Sequence, residues 1–420
     1  MSSRTFAFSA VPEAEAPEAE ARPALLFQPS AWATFAAGVL TPFTLNFVGE
    51  MPVGELVLCA VTVWIAICWL VGRSWPSPLL ADGLTRGFLL AQFVAFCAYV
   101  VADLYWHSSL HDIERGWSRM AFLAIDFVAV AHLFGRDRRN FPVLLAGLCL
   151  GDVASAYLNG PMFGDYWKFG YGITLSYLGV LLGSCLGGWG AVLAAVGMGL
   201  ANFAMDFRSF GGLCLALATL TFLQMLPRKL RLWTAPLALA AATVGVVVVA
   251  QPEQAGQRAT RSDVERQAMI TAAAEAFHDS PFIGHGSWFS NSHVYENFLY
   301  IRHSLAAAAH VGGFADANED RGDMAIHSQI LVALAEGGIF GGTFFLLLGG
   351  ALLWALGDAV FATPWTRLAP IRLLVLLAAV WNLLFSPFSG AHRVYIALAC
   401  GLILLQREER RRRLREEEGG

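Results

Sequence analysis

Between Lys168 and Asp206 the chain carries no charged residue. An uncharged apolar run of about 18 or more residues reads as a membrane helix, and this one is long enough for two. Similar runs recur along most of the 420 residues, which are 56% hydrophobic and only 14% charged. A soluble domain averages about 25% charged residues, so this much apolar surface cannot all enter one soluble core. The chain is therefore expected to be an all-α polytopic membrane protein. The net charge of −4 offers nothing to nucleic acid. Cys59, Cys68, Cys97, Cys149, Cys185, Cys214 and Cys400 all fall inside apolar segments. They read as small hydrophobes and not as a disulfide frame or a metal site.

About twelve spans are expected, near 31–48, 54–72, 86–104, 118–135, 140–157, 169–187, 189–206, 208–226, 232–250, 328–356, 367–385 and 390–406. A re-entrant turn at "FVGEMPVGE" can part the first two, and glycines can bend the long span from 328. This divides the chain into a low-complexity acidic tail (1–30), a bundle of nine spans (31–250), a loop domain (251–327), a bundle of three spans (328–406) and a charged tail (407–420). The tail 1–30 lacks the basic start of a signal peptide.

Orientation follows from arginine bias in short loops. "GRDRRN" (135–140), "PRKLR" (227–231) and "QREERRRRLR" (406–415) must share a side. With twelve spans, that side also holds both termini, which are expected to be cytoplasmic. The opposite, outer side receives the long segment 251–327, with helical stretches at "DVERQAMITAAAEAFH" and "NFLYIRHSLAAAAH". His278, His285, His293, His303, His310 and His327 lie in it, and its ten carboxylates face five arginines, a balance of −5.

Three features fall at the outer face. Arg208, in "DFRSFGG", stands where one span ends and the next begins. It reads either as an interfacial ion pair with Asp206 or as an anion clamp, because a guanidinium fork suits phosphate oxygens. "VERQAMITAAAEAFHDSPFIGHG" (264–286) carries Arg266 on a helix, then a Ser-Pro turn and two glycines around His285. "HSQILVALAEGGIFGG" begins with His327 one residue before a span, with Ser328 as a helix cap. An imidazole has an ordinary pKa near 6.5, so it can take a proton from a hydroxyl at neutral pH. Alternatively, His327 is an ordinary interfacial histidine. Glu336, inside the run, is expected to pair within the bundle.

In this order, spacing and membrane side, the three motifs resemble the O-antigen ligase and Wzy-type polysaccharide polymerase superfamily. The resemblance covers roughly 200–345 by motif. Ser328 stands where that family usually has asparagine, and the first motif keeps its arginine and a nearby glycine. The resemblance implies a metal-independent, inverting glycosyl transfer without cofactors in the bacterial inner membrane, with the site on the periplasmic side. The donor is a glycan on undecaprenyl diphosphate and the acceptor a sugar hydroxyl, itself on a glycan or a lipid-linked chain. Arg208 and Arg266 would hold the diphosphate and His327 would be the catalytic base. The aromatic stretch 286–300 is the candidate rim that meets the glycan. Trp288, Tyr295 and Tyr300, with His285 and Arg302 beside them, are candidate glycan or acceptor contacts; an interfacial aromatic belt is the plainer reading.

Other readings stay open. A transporter of lipid-linked sugars would also have many spans, but it would not need a large ordered outer loop. A metal-dependent loop enzyme is disfavoured because no two of the six loop histidines lie four apart. A protein O-oligosaccharyltransferase of the same superfamily would use a Ser or Thr acceptor. Between polymerase and ligase, the acidic loop favours a polymerase, because phosphorylated lipid A core would call for a basic rim.

Overall fold

The computed structural model describes residues 28–419 except 47–49, 73–76, 161–164, 228, 232, 235–256, 290–291, 310–325, 363–364 and 389. Most of the expected span 232–250, most of the expected N-terminal tail, and His310 lie outside the described residues.

The fold is helical, with one small hairpin. Helix α1 (Pro29–Leu40) ends just before Pro42, which has no N–H to continue the ladder. The chain then forms β1 (Thr44–Asn46) and β2 (Glu50–Pro52), antiparallel, with Leu45 opposite Met51. The first expected span therefore stops short at residue 40. Helices α2 (Val53–Leu70), α3 (Gly83–Trp106), α4 (Leu110–Arg136) and α5 (Asn140–Asn159) follow, then a π-turn at Trp167–Tyr171. After it come α6 (Gly172–Cys185), α7 (Gly188–Ala204) and α8 (Arg208–Met225). The outer segment contributes α9 (Gln257–Asp279), a 3₁₀ turn at Ser287–Phe289 and α10 (Ser292–Ala308). Helices α11 (Gln329–Gly341), α12 (Thr343–Phe361), α13 (Ala369–Phe385) and α14 (Gly390–Gly419) complete the chain.

Among the described residues, α2, α3, α4, α5, α8 and α12 are long and apolar enough to cross a membrane. Helices α6, α7, α11 and α13 are also apolar but shorter. The expected span 328–356 divides into α11 and α12, and α11 is itself broken at Gly338, which leaves helical geometry at φ 64°, ψ −163°. The last expected span continues as helix to Gly419, its arginine-rich part projecting beyond the apolar part.

Helix α14 is the axis of the bundle, with every residue from Ile396 to Gln406 buried. A helix apolar on all sides belongs inside a bundle. It is tied to α2 by Arg393, which donates to both oxygens of the fully buried Glu55 at 2.6 and 2.7 Å. Helix α1 lies against α5 with backbones almost touching: a Cβ on Gly147 would meet the Phe35 carbonyl at 2.6 Å. Such small-residue contacts are how helices associate where no hydrophobic effect separates protein from lipid.

The three arginine-rich segments meet at one end of the bundle. Arg138 reaches Glu409, which also takes two bonds from Arg372. Arg410 bonds Asp358, and Arg231 donates to the carbonyl of nearby Val360 at 2.9 Å. The other end carries α9 and α10.

Candidate active site

The segment after α9 is built to lie on a break in another helix. A Ser280-Pro281 pair ends α9, and the chain turns with Gly284 N–H donating to the Ser280 carbonyl at 2.9 Å. Residues 281–286 then run alongside 335–339. His285 N–H donates to Ala335 O and Gly286 N–H to Glu336 O, both at 2.9 Å, while Ile339 N–H donates to Pro281 O at 2.8 Å. Irregular backbone at membrane depth survives only where protein satisfies its polar groups, and these three bonds do so at the Gly338 break. The glycines are needed for contact. At Gly284 (φ 78°) a Cβ would sit 2.3 Å from Glu336 O, and at Gly338 one would sit 2.5 Å from Phe282 O. Two stretches singled out in the sequence, "SPFIGHG" and "AEGGIF", are thus one unit in space.

Two carboxylates anchor that unit to α3 and α4. Asp103, fully buried, accepts from Ser108 Oγ at 2.8 Å, Trp117 Nε1 at 2.9 Å, Ser287 N–H at 2.6 Å and Ser287 Oγ at 2.8 Å. Glu336, 1% exposed, accepts from Tyr99 Oη at 2.8 Å and Trp288 N–H at 2.9 Å, and forms an ion pair with buried Arg119. Glu336 thus pairs within the bundle, as expected. Arg119 and Arg115 both face the Trp288 ring, with Arg115 Cζ 3.8 Å from its centroid. Buried charges are tolerated when paired and hydrogen-bonded in this way.

Of the residues read from the sequence as site candidates, His285 takes a structural place. It is 5% exposed, its Nε2 lies 2.9 Å from the Ala276 carbonyl, and its ring stacks on Trp106 at 5.5 Å and 18°. Trp106 Nε1 in turn donates to Gly284 O at 2.7 Å. Burial holds the imidazole below its ordinary pKa, against the pull of the Ala276 carbonyl. Arg302 is also buried, its guanidinium 5.4 Å from the Phe298 ring. Trp288 is half-buried under the two arginines, Tyr295 half-buried beside Phe298, and Tyr300 73% exposed.

His327 stands at the start of α11, where Ser328 Oγ caps the helix by accepting from Leu331 N–H at 3.3 Å. Its Nδ1 lies 3.4 Å from Met269 Sδ on α9. Arg266 lies three residues before Met269, one turn away on that helix. It is half-exposed, with Asp263 at a loose 3.9 Å. Arg208 opens α8 two residues after Asp206, whose φ of 55° turns the chain. Its Nε is 3.0 Å from Asp206 Oδ1, an exposed pair open to solvent. The segment 286–300 is adjacent to the His327 region, because Val294 and Phe298 share a buried cluster with Ile326, Met269 and Val332.

Sequence reasoning missed Asp103, Arg119 and Tyr99. A signal for the first two was present, since each is a charge inside an apolar helix, where charge is costly.

Residues 178–346 match a family model described as O-antigen ligase. No curated protein matches the chain. The matched stretch runs from α6 into the first turn of α12 and contains Arg208, Arg266, His285 and His327.

Proposed function

We propose that this chain, whose residues 178–346 place it with the O-antigen ligase-like superfamily, is an inverting glycosyltransferase using a polyprenyl-diphosphate-linked glycan. Glycosyl transfer of the ligase or polymerase type is what the family match supports. The observation that carries the finer reading is the meeting of α9 and α11. It sets the His327 ring against Met269, one helical turn from Arg266.

The residues have distinct roles. A departing diphosphate gathers negative charge, and preorganised guanidinium groups stabilise it most in the transition state. Arg266 and Arg208 are half-exposed, so they are open to a ligand as Arg119 and Arg393 are not. His327 removes the acceptor hydroxyl proton as that oxygen attacks the anomeric carbon. The leaving diphosphate remains on the undecaprenyl chain in the bilayer. The acceptor is a sugar hydroxyl of a growing glycan, which makes the enzyme a polymerase of the Wzy type. The inner membrane with a periplasmic site is the setting, since the arginine-rich end lies opposite α9 and α10.

The test is transfer in detergent, with purified lipid-linked glycan and no added metal. Product lengthened by repeat units supports the polymerase. Product appearing only with lipid A core supports a ligase. No transfer in detergent, together with movement of intact donor across the membrane of vesicles carrying the protein, would overturn the enzymatic reading.

A further inference from the structure

A groove at the arginine-rich end of the bundle is not used by this reading. It is a cavity of about 310 Å³ between α3 and α12, lined by Leu84, Leu346, Leu347, Ala351, Trp354 and, from α14, Arg407. Gly350 forms part of its wall, and a Cβ there would meet no atom within 4 Å. The wall is otherwise apolar, and the one charged group sits where α14 leaves the apolar part of the bundle.

The charges around that end are unequal. Asp82, at the start of α3, accepts from Arg411 and lies 3.6 Å from Arg407 Nε. Asp358 takes Arg410, whose guanidinium is also 6.0 Å from the Trp354 ring. Three arginines share two aspartates. The three arginine side chains are 37–43% exposed, and both aspartates are buried. The positive charge is thus presented outward and the negative charge kept inside. Basic sites between membrane helices, next to apolar surface, suit anionic lipid head groups.

We propose that this groove binds one anionic phospholipid, with an acyl chain along α12 and the phosphate at Arg407 and Arg410. The site is separate from the outer end, so the proposal does not depend on the glycosyl-transfer reading. A zwitterionic lipid fills the groove equally well but gains less from the arginines, because its own ammonium competes for the phosphate.

The test uses the full-length protein in detergent, titrated with phosphatidylglycerol or with phosphatidylcholine of the same chains. Bound lipid is counted by native mass spectrometry and thermal stability is followed in parallel. One phosphatidylglycerol is expected to bind saturably and raise the melting temperature, with phosphatidylcholine weaker. Arg407→Gln and Arg410→Gln should each weaken phosphatidylglycerol roughly fivefold, from about 1 kcal/mol per surface arginine. Gly350→Leu fills open space without touching the ion pairs, so it should fold normally and still lose the lipid. Glycerol phosphate alone should have no effect. Equal affinity for the two lipids, or unchanged binding by Gly350→Leu, would overturn the proposal. So would a dimer that buries this face, since the occupant would then be a second copy of the chain.

Discussion

Two sets of arginines in this protein differ in what surrounds them. Arg119 and Arg393 are buried and matched by carboxylates that are themselves buried, Glu336 and Glu55. Arg208 and Arg266 are half-exposed, with acidic neighbours, Asp206 and Asp263, that are more exposed still. An exposed pair contributes about 0–1 kcal/mol and is easily exchanged for another anion. A buried pair is costly to break, because the surviving partner is stranded. The same side chain thus serves as a bolt in one place and as a free hand in the other.

The largest effect should come from the buried set. Arg119→Ala strands Glu336 and removes the support of Trp288, at a cost of about 3–5 kcal/mol. Thermal melting in detergent should show a severely destabilised protein, and a normal melt would erase the distinction between the two sets. Arg208→Ala and Arg266→Ala should do the reverse, leaving the melt intact while losing about 2–4 kcal/mol of transition-state stabilisation in a glycan transfer assay. Arg→Lys should recover little, because a point charge does not replace a fork. Normal product from both alanine variants would remove them from the chemistry.

The histidines sharpen the same contrast. His327→Ala should slow transfer at least about a hundredfold with donor binding retained, and His327→Asn should fail equally for want of a basic nitrogen. Near-normal turnover at saturating donor would return His327 to an interfacial role. The smallest effect belongs to His285. Its imidazole is held below the ordinary value when folded, so the unfolded chain binds the proton more readily. The stability it contributes is present above about pH 6.5 and is lost as pH falls below that value. Melting temperatures across that range should fall less steeply in His285→Gln than in the wild type.

Much of this was legible in the sequence because it rests on local signals. The uncharged runs announce the helices, and Gly337-Gly338 in an apolar run announces a bend. Ser328 before "QILV" announces a cap. Arg208 and His327 stood out as polar residues at span ends, and Arg266 as a basic residue on a helix of the long loop. What was not legible depends on contacts between distant parts of the chain. His285 reads as a substrate contact because two glycines flank it, yet those glycines serve to lay the loop on Glu336, and stacking on Trp106 buries the ring. The charge of Arg119 was visible, but its partner lies 217 positions away. The early end of α1 was missed, although Pro42 marks it, because residues 41–46 carry no charge to break the apolar run while the backbone turns into β1.

The break at Gly338 also bears on how the protein is made. The groups it exposes are covered by residues 281–286, which leave the ribosome before residues 335–339 do. Chain order therefore makes the cover before the helix that needs it. A rearranged gene that delivered the loop after α11 would leave that helix without its cover during insertion, even though every contact of the finished protein was preserved.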